Sequence, residues 1–146
     1  MKRFNTTGTC IPGRHYMVDT SGKINQIIEL IDQEEYFTIN RSRQYGKTTT
    51  ISLLKRTLKS RMQVIAISFE GVGDKPFCSD MVFVKMLIPR MAKAMKFTEI
   101  SAEDTKLWQS EREYDETTAV DYLSNKITEL CEKYEIVLMI DEMDKC

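Results

Sequence analysis

The chain has 146 residues, of which 42% are hydrophobic and 29% are charged, and its formal net charge is −1. This length and this balance suit one globular domain with a core, and they argue against an intrinsically disordered chain. A net charge near zero also argues against a polycation built for nucleic acid, although local basic clusters leave nucleic-acid contact open.

The N-terminal residues and the cysteines indicate the cellular compartment of the protein. Residues 1–10 contain no apolar stretch of the kind that secretory signals carry, and no apolar run reaches the about 20 residues that a membrane helix needs. The four cysteines are scattered without a CxxC spacing, and the only histidine is His15. This pattern predicts a reducing, cytoplasmic compartment and argues against a zinc site or a disulfide framework.

The first half of the chain predicts an arm, a helix, a strand, a basic loop, a helix and a strand. Residues 1–20 show no period and are interpreted as an N-terminal arm. Isoleucines in residues 24–31 and apolar residues in 51–58 each form one helical stripe. Residues 36–39 have a strand composition, and residues 64–69 form an apolar run that is typical of a buried parallel strand.

Two segments in the middle of the chain carry mixed signals. Residues 81–95 look helical, but Pro89 removes a backbone donor, so we expect it to kink or split this helix. Residues 98–115 are polar and charged, and we interpret them as an irregular connector. Trp108 lies in this connector, where we expect it to be a local packing anchor.

The last elements continue the alternation of strands and helices. Apolar residues in 119–130 are spaced for an amphipathic helix, and residues 136–140 form a third apolar run that ends at Asp141 and Glu142. Strands that alternate with helices predict a layered α/β fold with a parallel sheet.

The strongest functional signal lies between the predicted strand at 36–39 and the helix that follows it. The residues there are Arg41, Ser42, Arg43, Gln44, Tyr45, Gly46, Lys47, Thr48 and Thr49. They approximate the phosphate-binding pattern G-x-x-x-x-G-K-[ST], with Arg41 in place of the first glycine. In such a loop, backbone N–H groups and the helix dipole hold phosphates, Lys47 reaches the β- and γ-phosphates, and the Thr48 hydroxyl ligates Mg²⁺. The alternative is an ordinary helix start with a solvated lysine.

A second signal follows the last predicted strand. Asp141 and Glu142 come directly after the apolar run, and ligands of open α/β sheets bind at this end of the strands. We expect Asp141 to hold Mg²⁺ and Glu142 to activate the attacking water as a general base. The alternative is a strand that leaves the sheet at an acidic turn. The two signals together predict binding of ATP and Mg²⁺, with Lys47 and Glu142 as catalytic residues.

Residues 41–50 resemble the P-loop of the bacterial AAA-ATPase-like family, in which the first glycine is commonly replaced. Residues 4–8, 15–19, 68–71 and 140–142 are also similar, so the resemblance covers essentially the whole chain. It implies a three-layer P-loop NTPase fold of the AAA-like branch, with helices on both faces of a parallel sheet. The chain would be the front part of that domain, incomplete at the C-terminus. Residues 1–20 would be an arm, 36–60 the Walker A strand, loop and helix, and 135–142 the Walker B strand.

The resemblance also implies partners. Many family members continue into a nuclease-like domain of the PD-(D/E)XK type, so ATP hydrolysis would power or switch such an effector. A homo-oligomer is compatible with the unpaired strand edges that an incomplete sheet would leave. Two alternatives stay open: a nucleotide-binding or interaction module without turnover, and a small-molecule phosphotransferase, for which the connector offers only Arg112 as a lid arginine.

Overall fold

A computed structural model describes residues 21–39, 46–110 and 113–142. The chain divides into two compact units, Met1–Ser60 and Arg61–Cys146. The described elements, in chain order, are α1 (Ser21–Asp32), α2 (Lys47–Leu58), β1 (Gln63–Ser68), a 3₁₀ helix (Lys75–Cys78), α3 (Asp80–Met95), α4 (Ala102–Gln109), α5 (Ala119–Cys131) and β2 (Ile136–Asp141).

The described residues are mostly helical, and the predicted three-layer P-loop sheet is wrong for them. Five α-helices accompany one sheet, and this sheet has two strands. The strand predicted at 36–39 is not formed, because these residues belong to no helix or strand and Tyr36 is fully exposed. A segment with a β-prone composition forms a strand only when a neighbouring strand supplies hydrogen bonds and its side chains are packed. The composition of residues 36–39 was therefore not sufficient to predict a strand.

The two strands that are present lie in the second unit, close to where the apolar runs predicted them. They pair in parallel, with Gln63 opposite Ile136 and Ser68 opposite Asp141. The chain between them passes through the 3₁₀ helix and α3 to α5, as a parallel connection requires a long crossover. The carboxyl ends of both strands therefore lie at the same edge of the sheet, where Asp141 is the last residue of β2.

The first unit contains the two helices that the apolar stripes predicted. α1 and α2 contact each other in this unit. Ile24 is buried in α1, and Leu54 and Leu58 are buried in α2. Burial of such aliphatic side chains, at about 1.5–3 kcal/mol each, is the main term that holds a pair of short helices together.

The core of the second unit is built on α3. This helix packs against β1 on one side and contacts both α4 and α5. Its apolar stripe is buried along the whole length of the helix, and the members of that stripe are Val84, Leu87, Ile88, Met91, Ala92 and Met95. Phe69, directly after β1, is 1% exposed and contacts the rings of Phe77 and Phe83 at centroid distances of 5.6 and 6.3 Å.

Pro89 lies inside α3 and does not split it, so of the two predicted effects, a kink or a split, the split is wrong. The helix runs from Asp80 to Met95 with the proline in its interior. Proline removes one main-chain hydrogen bond and crowds the carbonyl four residues earlier, which belongs to the exposed residue Lys85. The buried stripe continues on both sides of Pro89, so packing holds the helix across the missing bond.

The connector predicted at 98–115 contains the helix α4, so that prediction is wrong. Ser101 caps the helix: its hydroxyl accepts from the Asp104 N–H at 3.0 Å and donates to the Asp104 carboxylate at 2.7 Å. This is the Ser-x-x-acid capping pattern that marks helix starts. Trp108 is 3% exposed, and its indole N–H donates to the Ile88 carbonyl at 3.0 Å, which agrees with its predicted role as a packing anchor.

Asp104 also ties α4 to the turn before β2. Its carboxylate accepts hydrogen bonds from Lys133, from Ser101 and from the hydroxyl of Tyr134. Hydrogen bonds from Lys133, Ser101 and Tyr134 favour the charged carboxylate, and they lower the pKa of Asp104 from 3.8 to about 2.

This lowered pKa predicts an acid-dependent loss of stability. A carboxyl group with a depressed folded-state pKa stabilises the fold above its unfolded pKa of 3.8, and this contribution disappears as the pH falls toward 2. We expect Asp104→Asn to be less stable than wild type near neutral pH, with the difference shrinking as the pH falls through that window. Denaturant unfolding at a series of pH values measures this. Glu103→Gln is the matched control in the same helical turn, and an equal effect in both variants would contradict the prediction.

Within the described ranges, no helix combines the length and the apolar character needed to cross a bilayer.

Candidate functional site

The chain enters α2 through a left-handed glycine. Gly46 is in the left-handed region, with φ 78° and ψ 27°, and α2 begins at the next residue, Lys47. The N-cap residue of this helix is Gly46 itself, which has no side chain to cap it. The Gly46 carbonyl accepts the first helical hydrogen bond from Thr50 at 2.8 Å, so the chain turns into the helix directly at the glycine. A side chain at Gly46 would be strained by the positive φ alone, although open space surrounds the position.

Most of the predicted phosphate loop lies outside the described residues. This applies to Arg41, Ser42, Arg43, Gln44 and Tyr45. The backbone of Lys47 forms the first residue of α2.

The two threonines that follow are in the first turn of the helix. Thr48 is exposed and Thr49 is half-buried. An exposed Thr48 hydroxyl at a helix start has the accessibility that a ligand of Mg²⁺ needs.

The second predicted pair lies at the carboxyl end of β2. Asp141 and Glu142 are both half-buried, and the Asp141 carboxylate accepts from the Glu142 N–H at 2.9 Å. The Asp141 carbonyl accepts from the Phe69 N–H at 3.0 Å, so the strand is held by β1 up to its last residue. Glu142 then has a φ of 61°, which is an uncommon conformation for a residue other than glycine.

This conformation ends the strand and turns the chain at the edge where ligands of parallel sheets bind. Left-handed residues that are neither glycine nor asparagine cost about 1–3 kcal/mol, and they are concentrated at functional sites. Glu34, which follows α1, has the same kind of conformation with a φ of 57°, so a positive φ alone does not separate a functional carboxylate from an acidic turn at the end of a strand.

The predicted site residues belong to different units. Gly46, Lys47, Thr48 and Thr49 are in the first unit, whereas Asp141 and its neighbour are in the second. Asp141 and Glu142 lie at the carboxyl end of β2. Gly46 and Thr48 lie at the start of α2.

The predicted Mg²⁺ site uses two protein groups, the hydroxyl of Thr48 and the carboxylate of Asp141. Across residues 21–39, 46–110 and 113–142, no group of three or more His, Cys, Asp or Glu side chains is arranged for a metal ion. A Mg²⁺ ion bound to a nucleotide takes most of its ligands from phosphates and water, with one or two from the protein. Thr48 has a hydroxyl and Asp141 a carboxylate, both oxygen donors of the kind that Mg²⁺ prefers, and the two residues belong to different units.

A shallow concavity of about 230 Å³ lies between α4 and α5, away from the predicted residues. Lys126 lines it and is 9% exposed. The Lys126 ammonium donates to the Leu107 and Trp108 carbonyls at 2.9 and 2.7 Å, and it lies over the rings of Trp108 and Tyr122. These carbonyls end α4, so Lys126 caps that helix and its charge is already compensated.

Sequence reasoning did not single out Lys126, although the signal was present. It lies three residues after Leu123 and four before Leu130, on the apolar stripe of α5. A lysine at a core position of an amphipathic helix indicates a buried partner for its charge, because an unpaired buried charge is costly. Here the partners are main-chain carbonyls, so the residue has a structural role.

No protein-family model, no curated protein and no solved structure matches the chain. The resemblance to AAA-ATPase-like proteins therefore stays a prediction, and the chemistry of the described residues has to carry any functional proposal.

Proposed function

We propose that the chain binds ATP with Mg²⁺ at the N-terminus of α2, and that Asp141 and Glu142 supply the carboxylates for ATP hydrolysis. The observation that carries this proposal is the turn at Gly46, a left-handed glycine that leads directly into a helix beginning with Lys47 and Thr48. The proposal does not depend on the three-layer sheet, which residues 21–39, 46–110 and 113–142 do not form.

The physical basis is the chemistry of a helix N-terminus. The first N–H groups of a helix have no partner within the helix, and together they form the positive end of the helix dipole. Where no side chain caps the end, a phosphate group is a suitable acceptor for these donors. Lys47 would add a positive charge for the phosphates, and the Thr48 hydroxyl would help to hold the Mg²⁺ ion, which would neutralise phosphate charge.

Asp141 and Glu142 have distinct proposed roles. Asp141 would hold the magnesium shell, directly or through water, and Glu142 would orient and deprotonate the attacking water. The Glu142 N–H donates to the Asp141 carboxylate and the chain turns at Glu142, so both acidic residues belong to the same strand end. A coupled effector, such as a nuclease-like domain, and a homo-oligomeric state belong to the same proposal and are untested.

Titration with a fluorescent ATP analogue in the presence of Mg²⁺ tests the proposal. We expect Lys47→Ala to weaken binding by about 10- to 100-fold, because a hydrogen bond to a charged group contributes about 1.5–3 kcal/mol. The matched control is Lys55→Ala, which removes an exposed lysine from the other end of the same helix and should leave the affinity unchanged.

Three outcomes would contradict the proposal. They are the absence of binding by folded wild-type protein, equal weakening in both lysine variants, and binding that survives Lys47→Ala unchanged. Circular dichroism of each variant establishes that a loss of binding is not a loss of helix α2.

A further inference from the structure

The charged residues of this chain are separated along the sequence. Residues 36–69 contain seven basic residues and no acidic residue, although the chain has 22 Asp and Glu residues in total. This segment has a formal charge of +7, and the rest of the chain, with 14 basic and 22 acidic residues, has −8. An asymmetry of this size indicates a polyanionic partner for the basic segment, such as a nucleic acid or a membrane surface.

Part of this positive charge forms one surface on α2. Lys55 and Arg56 lie in the last turn of the helix, and Lys59 is its C-cap residue. All three are exposed, and they fall within about 100° of one another around the axis, because an α-helix turns by about 100° per residue. The buried residues Leu54 and Leu58 lie outside this sector. We call the surface formed by the three basic residues the basic face of α2.

No nearby group compensates the charges of the basic face. Among the residues that the structure describes, none forms a side-chain hydrogen bond or an ion pair with Lys55, Arg56 or Lys59. An acidic residue four positions before a lysine stabilises an exposed helix, but the residue four positions before Lys59 is Lys55. Like charges at this spacing destabilise a helix. The basic face therefore has a cost for the fold, which binding of a partner would offset.

The helix dipole is the ordinary reason for basic residues at the end of a helix. Its effect falls off within the last turn, so it does not explain why the whole of residues 36–69 contains no acidic residue. A polyanionic partner explains both observations, because an acidic side chain anywhere near the contact would repel it.

We propose that the basic face of α2 binds the phosphate backbone of a double-helical nucleic acid. A DNA duplex carries one negative charge per about 1.7 Å of its axis. Lys55 and Lys59 are separated by about 6 Å along α2, so several phosphates would lie within reach of the three side chains. Contacts to phosphate carry no direct sequence information, so this binding would be independent of base sequence.

Two other polyanions fit the basic face less well. A helix that lies on a lipid surface inserts apolar side chains beside its basic ones, but the large apolar side chains of α2 are buried or half-buried. Single-stranded nucleic acid is usually bound by aromatic side chains on which the bases stack, and α2 contains no aromatic residue. The inference is independent of the proposed nucleotide site, which lies at the other end of the helix.

Fluorescence anisotropy with a labelled DNA duplex of about 20 base pairs tests the proposal, at salt concentrations from about 50 to about 200 mM. Each phosphate that a protein neutralises adds about −0.9 to the slope of log affinity against log salt concentration. Three contacts predict a slope of about −2.7, which corresponds to a loss of affinity of about 40-fold over this range.

The combined variant Lys55→Gln, Arg56→Gln and Lys59→Gln should bind the duplex at least about tenfold more weakly at the lowest salt concentration, with a slope near zero. Its thermal unfolding, followed by circular dichroism, should occur at the same or a higher temperature than in wild type, because the like-charge pair is removed. Its affinity for the fluorescent ATP analogue should stay unchanged, since Lys47 and Thr48 are intact. This last measurement separates failure of the inference from failure of the proposed function.

The matched control is the combination of Lys85→Gln, Lys93→Gln and Lys96→Gln, which removes three exposed lysines from α3 and its C-cap and changes the net charge equally. Its duplex affinity should stay within about twofold of wild type, because separated surface charges are screened by salt. Equal weakening in both combined variants would reduce the effect to net charge and overturn the proposal. It would also be overturned by folded wild type that does not bind the duplex, or that binds the single strand or phosphatidylserine vesicles more tightly.

Discussion

Replacement of Phe69 by alanine is expected to lower the free energy of unfolding of the second unit by about 3–5 kcal/mol. Phe69 is 1% exposed and belongs to the core cluster built on α3. Its ring contacts Phe77 and Phe83 in edge-to-face geometry, so alanine would remove buried apolar area and two aromatic contacts together. A loss of this size is a large part of the 5–15 kcal/mol that stabilises a typical domain.

Denaturant unfolding followed by tryptophan fluorescence measures this effect. Trp108 is the only tryptophan and is buried in the same core, so its emission reports on this unit. Phe97→Ala is the matched control, because Phe97 is 78% exposed and its truncation should change stability by no more than about 0.5 kcal/mol. Equal losses in the two variants would show that the Phe69 contacts are not specific. If Phe69→Ala does not fold, Phe69→Leu should show a smaller loss in the same direction.

The parts of the fold that sequence predicted are those with a strong local pattern. The isoleucines of α1 and the apolar stripe of α5 repeat at the period of a helix, and the continuous apolar runs of β1 and β2 have the length and composition of strands. The capping signal at Ser101 was also present in the sequence, and a reading that gave it weight would have found α4. The helix was missed because most of its residues are polar and only Thr105 and Trp108 are buried, so no apolar stripe marks it in the sequence.

In two other places tertiary context overrode a local rule. Pro89 was expected to kink or split α3, and the helix is not split, because six buried side chains on both sides of the proline pack in the core. Residues 36–39 were expected to form a strand, but no strand pairs with them in the described part of the chain. The predicted three-layer fold needed a strand at residues 36–39. Because that strand is not formed, the predicted fold class is also wrong.

The sequence predicted the candidate site from the types and order of its residues. The structure added the backbone conformation of two of them, Gly46 and Glu142. Sequence named Gly46 as the residue that lets the backbone approach a phosphate, and its left-handed φ is compatible with that role. Sequence could not anticipate the left-handed Glu142, because nothing in a run of apolar residues followed by two acids fixes the turn between them. Nor could it show that α2 and β2 belong to separate compact units.

Under the proposed function, Glu142→Gln is expected to lower ATP turnover by at least about 100-fold while nucleotide binding is retained. Glutamine keeps the size and polarity of glutamate but cannot take a proton from water, so it removes the general base and leaves the rest of the site in place. The measurements are phosphate release under saturating ATP and Mg²⁺, and titration of the same protein with the fluorescent analogue. Glu132→Gln, an exposed glutamate at the end of α5, is the control for loss of one negative charge.

The paired measurements separate the roles that a carboxylate at this position can have. Loss of both turnover and binding in Glu142→Gln would mean that Glu142 supports the nucleotide or the turn and is not a general base. Full turnover in the variant would place the general base elsewhere. Wild-type protein that binds Mg²⁺ and ATP, loses binding in Lys47→Ala and releases no phosphate would identify a nucleotide-binding module. In that case the left-handed turn at Glu142 would need a structural explanation, because the carboxylate would have no reacting water to activate.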